Sequence, residues 1–348
     1  MAKFVRNAWY PAAWTRDIGR SLTSRTILGE NVVLYRKQDG NVAALYNVCP
    51  HRFAPLSMGK LKDDTVECGY HGMTFDGSGK CVRIPGQKII PANAKVRSYP
   101  ITENMGLAWI WMGDPEKAAQ TPVYDLPQYH SGDWTTLEGD ALPIGCHYLS
   151  LADNLCDPAH VSFVHLSTLG NAASEDVPIQ FEKKADDQLL TWRWIMDAPA
   201  IPLVKKFAKF TGNVDRWHYY HYYAPSSAVI DFGSAPTGTG APEGRRDNCL
   251  QFYACHFITP VDDSSCIDHW IVVKNFKSDD VTKDAMKQQF RLAFNEDKEI
   301  LEAIQKNETA DPQRRPIRLA IDASPVNMRR MIDRMIQTEQ TNEDVHAA

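Results

Sequence analysis

Two short pairs, Cys49-Pro50-His51 and Cys68-Gly69-Tyr70-His71, are separated by sixteen residues, and each offers one thiolate and one imidazole. Two sulfurs and two nitrogens are the donor set of a Rieske-type [2Fe-2S] cluster, in which two histidines replace two cysteines on one iron. Imidazole is neutral where thiolate is anionic, so such a cluster is less negative than a four-cysteine one and easier to reduce. Zinc accepts the same donors, but Cys2His2 zinc fingers usually group two cysteines in one pair and two histidines in the other. Both pairs here are mixed, which favours the cluster. Pro50 stiffens the first loop, and Gly69 and Gly72 let the second approach the cluster sulfurs closely.

A second group of ligand types lies in residues 153–165, which hold Asp153, Asp157, His160 and His165. Pro158 disfavours helix at Asp157 and suits the first position of a new helix, with Asp157 as its N-cap. Asp157 and His160 then share one helical face. His160 and His165 point roughly 140° apart on an ideal helix, so they share a metal only if the helix ends or bends between them. Taken alone, His165 reads equally well as a core histidine. A third ligand comes from a helix expected over about 281–306. Its apolar stripe of Met286, Phe290, Ala293, Phe294, Leu301 and Ile304 lies within roughly 60° of Asp297. Asp297 must therefore face the core, where an unpaired carboxylate is costly. Either a metal or a buried arginine or lysine compensates it. Glu296 and Glu299 lie off the stripe and are expected in water. Two histidines and one carboxylate leave positions open on a metal, as in non-haem Fe(II) oxygenases. Zinc would give a hydrolase centre, but a hydrolase has no use for an electron-carrying cluster, so iron is favoured.

The elements that must position these groups fall into two parts. Residues 1–115 read as short strands at 32–35, 42–46 and 107–111, with tight turns at Asp39-Gly40 and at 76–79. This is a small β domain with the cluster between two loops. A proline-rich polar stretch over 113–127 places the boundary, giving domains 1–115 and 116–348. The second part mixes an interrupted helix over 147–167 with strands at 188–196, 217–232, 249–260 and 266–275 before the late helix. The glycine- and proline-rich residues 233–246 read as a long mobile loop, either covering a binding site or simply solvated. With 348 residues, 43% hydrophobic and 23% charged, the chain suffices for two soluble domains. A net charge of -5 without a basic block argues against nucleic acid. No run of about 18 apolar residues and no signal-peptide h-region appear, so no membrane partner and a cytoplasmic location are expected. Of the eight cysteines, the six outside the pairs read as buried or free thiols rather than a disulfide framework.

From NAWYPAAW through CPHRFAPLSMGKL and YHGMTFDGSGKC to DNLCDPAHVSFVH and FNEDKEILE, the chain resembles the oxygenase component of the Rieske non-haem iron oxygenases. The likeness is to the subgroup of vanillate O-demethylase, toluenesulfonate methyl-monooxygenase and dicamba monooxygenase. It implies an α+β protein: an N-terminal all-β Rieske domain and a C-terminal helix-grip domain, an antiparallel sheet around a long helix. It further implies that Cys49, His51, Cys68 and His71 hold the [2Fe-2S] cluster and that His160, His165 and Asp297 hold a mononuclear Fe(II). In the implied head-to-tail homotrimer, Asp157 bridges from a neighbour's cluster histidine to His160, and Asn154 lies near the iron. Asp231 and His256 match positions that face substrate, while Gln288 stands where the dicamba enzyme has tryptophan. The partners implied are O2, a small aromatic substrate and an NAD(P)H-dependent reductase, with or without a separate ferredoxin. This chain lacks a dinucleotide fingerprint of its own. The activity implied is O-demethylation of a methoxylated aromatic acid with release of formaldehyde. The alternatives are methyl hydroxylation of an aromatic acid or sulfonate, and ring dihydroxylation. An electron carrier with an inert second domain is the reading from outside the enzymes.

Overall fold

The computed structural model describes residues 3–208 and 210–347. Two compact units are distinguished, Met1–Asp125 with Thr259–Asp262, and Leu126–Ile258 with Asp263–Ala348. The boundary expected after residue 115 lies inside the first unit. Pairings close in sequence, such as Asn104 Nδ2 to the Tyr124 carbonyl at 3.0 Å, tie the polar stretch to that unit. Thr259–Asp262 joins it through long-range hydrogen bonds that no sequence pattern announces. Leu28 N donates to Pro260 O and Gly29 N to Val261 O, both at 2.8 Å.

The first unit is built from small antiparallel sheets. Thr23–Ile27, Glu30–Arg36 and Val42–Tyr46 form one, and Lys60–Lys62, Thr65–Glu67, Thr74–Phe75 and Cys81–Arg83 another. Val32, Val33, Leu34 and Tyr35 are all fully buried, as the continuous apolar run predicts for a strand covered on both faces. At the expected turn, the Asp39 carboxylate accepts from Asn41 N at 2.9 Å, and Gly40 takes a left-handed φ of 88°. At the other, Asp76 Oδ1 accepts from Ser78 N and Lys80 N. Trp9–Trp14, Leu107–Trp111 and Ile101–Asn104 make a third sheet.

The second unit carries a seven-stranded antiparallel sheet. Its order is Thr135–Ile144, Cys266–Lys274, Leu250–Pro260, Ser227–Pro236, Val214–Tyr223, Gln188–Ala198, Gln180–Ala185. The strand expected over 217–232 is instead a hairpin. Val214–Tyr223 and Ser227–Pro236 pair in full register from Tyr223↔Ser227 to Val214↔Pro236. The chain reverses at Pro225, which has no N–H to give to a ladder. Alternation then separates two faces. Phe232, Phe252, Trp270 and Val272 face the long helix Asp280–Ala310, meeting its buried Met286, Phe290, Ala293 and Phe294. Each such side chain contributes roughly 1.5–3 kcal/mol by leaving water. The helix starts where the Asp279 carboxylate caps Thr282 N at 2.7 Å. Of its expected stripe only Ile304 departs, being 40% exposed. A second long helix, Ala323–Ala347, lies beyond any sequence expectation. Its Arg329 holds Asp153 in a bidentate pair at 2.6–3.0 Å. No helix among the described residues is long and apolar enough to cross a membrane.

Candidate active site

The two cluster loops have the same backbone design. Cys49 N donates to Ala54 O and Phe53 N to Cys49 O; Cys68 N donates to Met73 O and Gly72 N to Cys68 O, all at 2.7–3.0 Å. Each loop therefore closes between a cysteine and the residue five later. The residue four after each cysteine is left-handed, Phe53 at φ 58° and Gly72 at φ 72°. A Cβ on Gly69 would meet Met58 O at 2.8 Å, so glycine is what lets the loops come together. Both sulfurs sink into the core with Leu45, Leu56, Val66 and Phe75, while His51 and His71 stay exposed with ring centroids 4.6 Å apart. Burial pushes the Cys49 thiol up, and the adjoining Cys68 adds to this. Two free, buried, neighbouring sulfurs beneath two neighbouring imidazoles are donors that an iron-sulfur cluster fits, because its irons supply the positive charge that thiolates in a core require.

His160 and His165 are brought together by the bend that their spacing demands. The helix between them, Val161–Val164, is one turn long, with His160 at its N-cap and His165 at its C-cap. Their ring centroids are 5.3 Å apart. Asp157 is not the cap of that helix. It ends the preceding helix Tyr148–Cys156, and its carboxylate accepts from Ala159 N at 2.7 Å, fixing the intervening turn. His147 caps the start of the same helix, accepting from Leu149 N.

Asp297 meets both rings, with His160 Nε2 at 3.5 Å from Oδ1 and His165 Nε2 at 3.2 Å from Oδ2. One ligand atom from each of the three residues lies within 4.8 Å of the others. Among the described residues no arginine or lysine pairs with Asp297; Asn154 Nδ2 donates to Asp297 Oδ1 at 2.9 Å instead. Burial opposes charge on His165 and Asp297, but their contact outweighs it, holding the carboxyl below its ordinary range and the imidazole above. Burial holds His160 below its ordinary value against the pull of the Asp297 carboxylate, which favours the neutral ring that a ligand nitrogen requires. Its Nδ1 is buried with no hydrogen-bond partner among the described residues. Two imidazole nitrogens and a carboxylate converging on one point fit a divalent iron with open positions.

Glu296, expected in water, instead turns inward. It accepts from His165 Nδ1 at 2.8 Å, from Thr168 Oγ1 at 2.8 Å and from Ser167 Oγ at 2.7 Å. The only sequence signal was its adjacency to Asp297. Glu299 is exposed as expected.

The triad lies at a cavity walled by Leu155, Val161, Leu169, Ile230, Phe232 and Phe294, with His218, Tyr220 and His256 as further polar members. His256 and Asn154 thus line the same cavity as His160, His165 and Asp297. Asp231 is not among the residues around this cavity. It alternates with Ile230 and Phe232, so it points to the other face of the sheet. There it accepts from Trp217 Nε1 at 2.8 Å and Gln251 Nε2 at 2.9 Å, with Arg246 Nη1 at 3.7 Å. Residues 233–246 are no cover for the cavity either. Residues 233–236 complete a strand, 237–239 and 242–245 are exposed, and the segment meets that outer face through Ala241 and Arg246. Ala241 is buried with Trp217 and Ala235, and the Arg246 guanidinium lies 4.5 Å from the Trp217 ring.

The model of the Rieske [2Fe-2S] domain matches residues 8–100, and that of the vanillate O-demethylase oxygenase C-terminal domain matches residues 144–338. The chain is 39% identical to the toluene-4-sulfonate monooxygenase system iron-sulfur subunit TsaM1 of Comamonas testosteroni, over 97% of this chain and 98% of that protein. It is 33% identical to a vanillate O-demethylase oxygenase subunit of Pseudomonas sp. (strain HR199 / DSM 7063), over 98% and 97%. The crystal structure of dicamba monooxygenase bound to dicamba superposes with a TM-score of 0.86 at 33% identity, covering 97% of this chain and 99% of that one. The chain belongs to the Rieske non-haem iron oxygenases, in the family of the vanillate O-demethylase oxygenases. It is a monooxygenase component whose cofactors are a Rieske [2Fe-2S] cluster and a mononuclear non-haem iron.

Proposed function

We propose that this chain is the terminal oxygenase of a multi-component system that removes the methyl group of a methoxylated aromatic acid as formaldehyde. Cys49, His51, Cys68 and His71 would hold the cluster, and His160, His165 and Asp297 would hold the mononuclear iron. The observation that carries this reading is the convergence of those three ligands on an apolar cavity that also contains His256. When bound, the cluster supplies single electrons and the mononuclear iron uses them to activate dioxygen beside the substrate.

The protein's own part is placement. Glu296 takes the Nδ1 proton of His165 and so presents its Nε2 lone pair to the metal. Asn154 fixes Asp297 Oδ1 in the same way. Phe232, Phe294 and Ile230 keep water from the reacting carbon, and His256 meets the acid group. In balance, Ar–O–CH3, O2, two electrons and two protons give Ar–O–CH2OH and water. The hemiacetal then breaks its O–CH2 bond to leave a phenol and formaldehyde.

An NAD(P)H-dependent reductase, directly or through a ferredoxin, supplies the electrons in the cytoplasm. A head-to-tail homotrimer accounts for two surfaces. Around the exposed His51 and His71, Phe53 and Met58 are 78% exposed and Tyr70 is 61% exposed. Asp157 opens into a groove shared with His160, Ile300, Ile304, Arg315 and Arg318. There the partner subunit's His71 would donate to the Asp157 carboxylate, which also neighbours the His160 ring.

The greater identity to a toluene-4-sulfonate monooxygenase subunit favours, as a second reading, hydroxylation of a methyl group on an aromatic acid or sulfonate. Single turnover of dithionite-reduced holoprotein with O2 decides. Formaldehyde from methoxybenzoates supports demethylation. A hydroxymethyl product from toluene-4-sulfonate, with no formaldehyde from any methoxybenzoate, moves the assignment to the second reading. A cis-diol overturns both.

A further inference from the structure

His256 and Asp268 stand on the adjacent strands Leu250–Pro260 and Cys266–Lys274. His256 Nδ1 lies 2.8 Å from Asp268 Oδ2, and both side chains are 2% exposed. The opposite nitrogen, Nε2, is buried with no hydrogen-bond partner among the described residues, and the ring lines the cavity that holds the metal ligands. Phe294 packs edge-on against the ring at 4.6 Å, which limits its rotation.

An ionised carboxylate only accepts hydrogen bonds, so Asp268 holds the Nδ1 proton of His256. With one proton the ring offers the cavity a bare Nε2; with a second it offers a charged N–H donor balanced from behind by Asp268. A buried donor of that kind is costly until something accepts from it. The surrounding walls are mostly apolar, so the acceptor is a ligand. An anion at Nε2 completes a row of carboxylate, imidazolium and acid group, as a neutral group does not.

The other free histidine of the cavity is set the opposite way. Arg193 Nε donates toward His218 Nδ1 at 3.4 Å, and burial with Arg193 beside it holds His218 well below its ordinary value. His218 therefore stays neutral, and only His256 is backed by a carboxylate.

We propose that Asp268 is a positioning residue which holds His256 as a charged donor against the acid group of the substrate, and so selects aromatic carboxylates or sulfonates over their neutral analogues. This rests on the oxygenase reading above, but its test does not use turnover. Titration calorimetry of the holoprotein measures Kd for 3-methoxybenzoate and for 3-methoxybenzamide, which is neutral and nearly the same shape. The wild type is expected to prefer the acid. Asp268→Asn is expected to weaken 3-methoxybenzoate by about ten- to a hundredfold, the scale of a hydrogen bond to a charged group, with the amide within about twofold. His256→Gln, which keeps a neutral donor, should lose the same preference, and the double variant should lose no more than either. Equal losses for acid and amide, or an unchanged acid-to-amide ratio in both single variants, overturn the proposal. If Asp268→Asn fails to take up iron, His256→Gln and Asp268→Glu are read by the same ratio. Absence of formaldehyde from the wild type would instead count against the demethylation reading alone.

Discussion

The two iron sites are opposites in how they are built. The four proposed cluster ligands lie within residues 49–71, on two loops whose hydrogen bonds repeat each other, with imidazoles exposed and sulfurs buried. The proposed mononuclear ligands span residues 160–297, come from the two ends of a one-turn helix and from a long helix, and meet at an apolar cavity. A centre that exchanges electrons with a partner needs an edge at the surface. A centre that reduces O2 beside a substrate needs walls that exclude water. The two sites divide these demands between them, and each is vulnerable to different changes.

The largest expected effect separates them outright. Asp297→Ala removes the carboxylate that both histidines face, so with the proposed ligand set the mononuclear iron and all turnover should be lost. The loops at Cys49 and Cys68 are untouched, and the cluster's visible absorption should remain. Metal analysis should then fall from about three irons per subunit to about two. Loss of the cluster in the same variant would show that the sites are not independent. Next in size is Asp157→Ala. Both centres should still fill, because Asp157 ligates neither, but single-turnover oxidation of the reduced cluster should slow by about a hundredfold, the upper scale for partners of metal ligands. An unchanged rate would remove the bridge.

The same contrast explains what was legible in the sequence. Mixed Cys/His pairs announce a cluster because the whole donor set is local. Asp297 was legible because helical periodicity put a carboxylate inside an apolar stripe. The bend between His160 and His165 was required by geometry, but its form was not, and Asp157 caps a turn where a helix was expected. Asp268 gave no signal and Glu296 none beyond its adjacency to Asp297, since the partner of each is fixed only by the tertiary fold: His256 on the neighbouring strand and His165 from a distant segment. Asp231 was misplaced because strand parity is known only once register is known, and one residue decides between the cavity and the outer face. The hairpin at Pro225 had a signal, because Pro225-Ser226-Ser227 interrupts the aromatic run and marks a turn, but the two flanking runs were read as one strand.

A middle-sized effect tests the support beneath the buried site. Glu296→Gln keeps an oxygen for one donor but loses the charge that His165 Nδ1, Ser167 and Thr168 share. Iron retained after competition with a chelator should report about tenfold weaker binding, near the lower end for such partners. The cluster absorbance should not change. Binding as tight as in the wild type would mean that Ser167 and Thr168 alone hold the ring.

The smallest effect belongs to Asp231, which resembles Asp297 in being a buried aspartate in the same unit yet faces away from the chemistry. Asp231→Asn keeps an oxygen for Trp217 and Gln251 and removes a charge whose main opponent is burial. That burial raises the Asp231 pKa, outweighing the hydrogen bonds from Trp217 and Gln251 and the attraction of Arg246. A carboxyl raised in the folded state destabilises the fold while ionised, and the penalty lifts as pH falls through its folded pKa. The variant should therefore lie within about 1 kcal/mol of the wild type at neutral pH. Any advantage it has should shrink in denaturant titrations at lower pH, where the wild-type carboxyl takes up its proton. Its KM for a methoxybenzoate should be unchanged, because Ile230 and Phe232, not Asp231, face the cavity. A tenfold rise in that KM would return Asp231 to the substrate and show that the strand register of Ser227–Pro236 does not govern which of its residues are used.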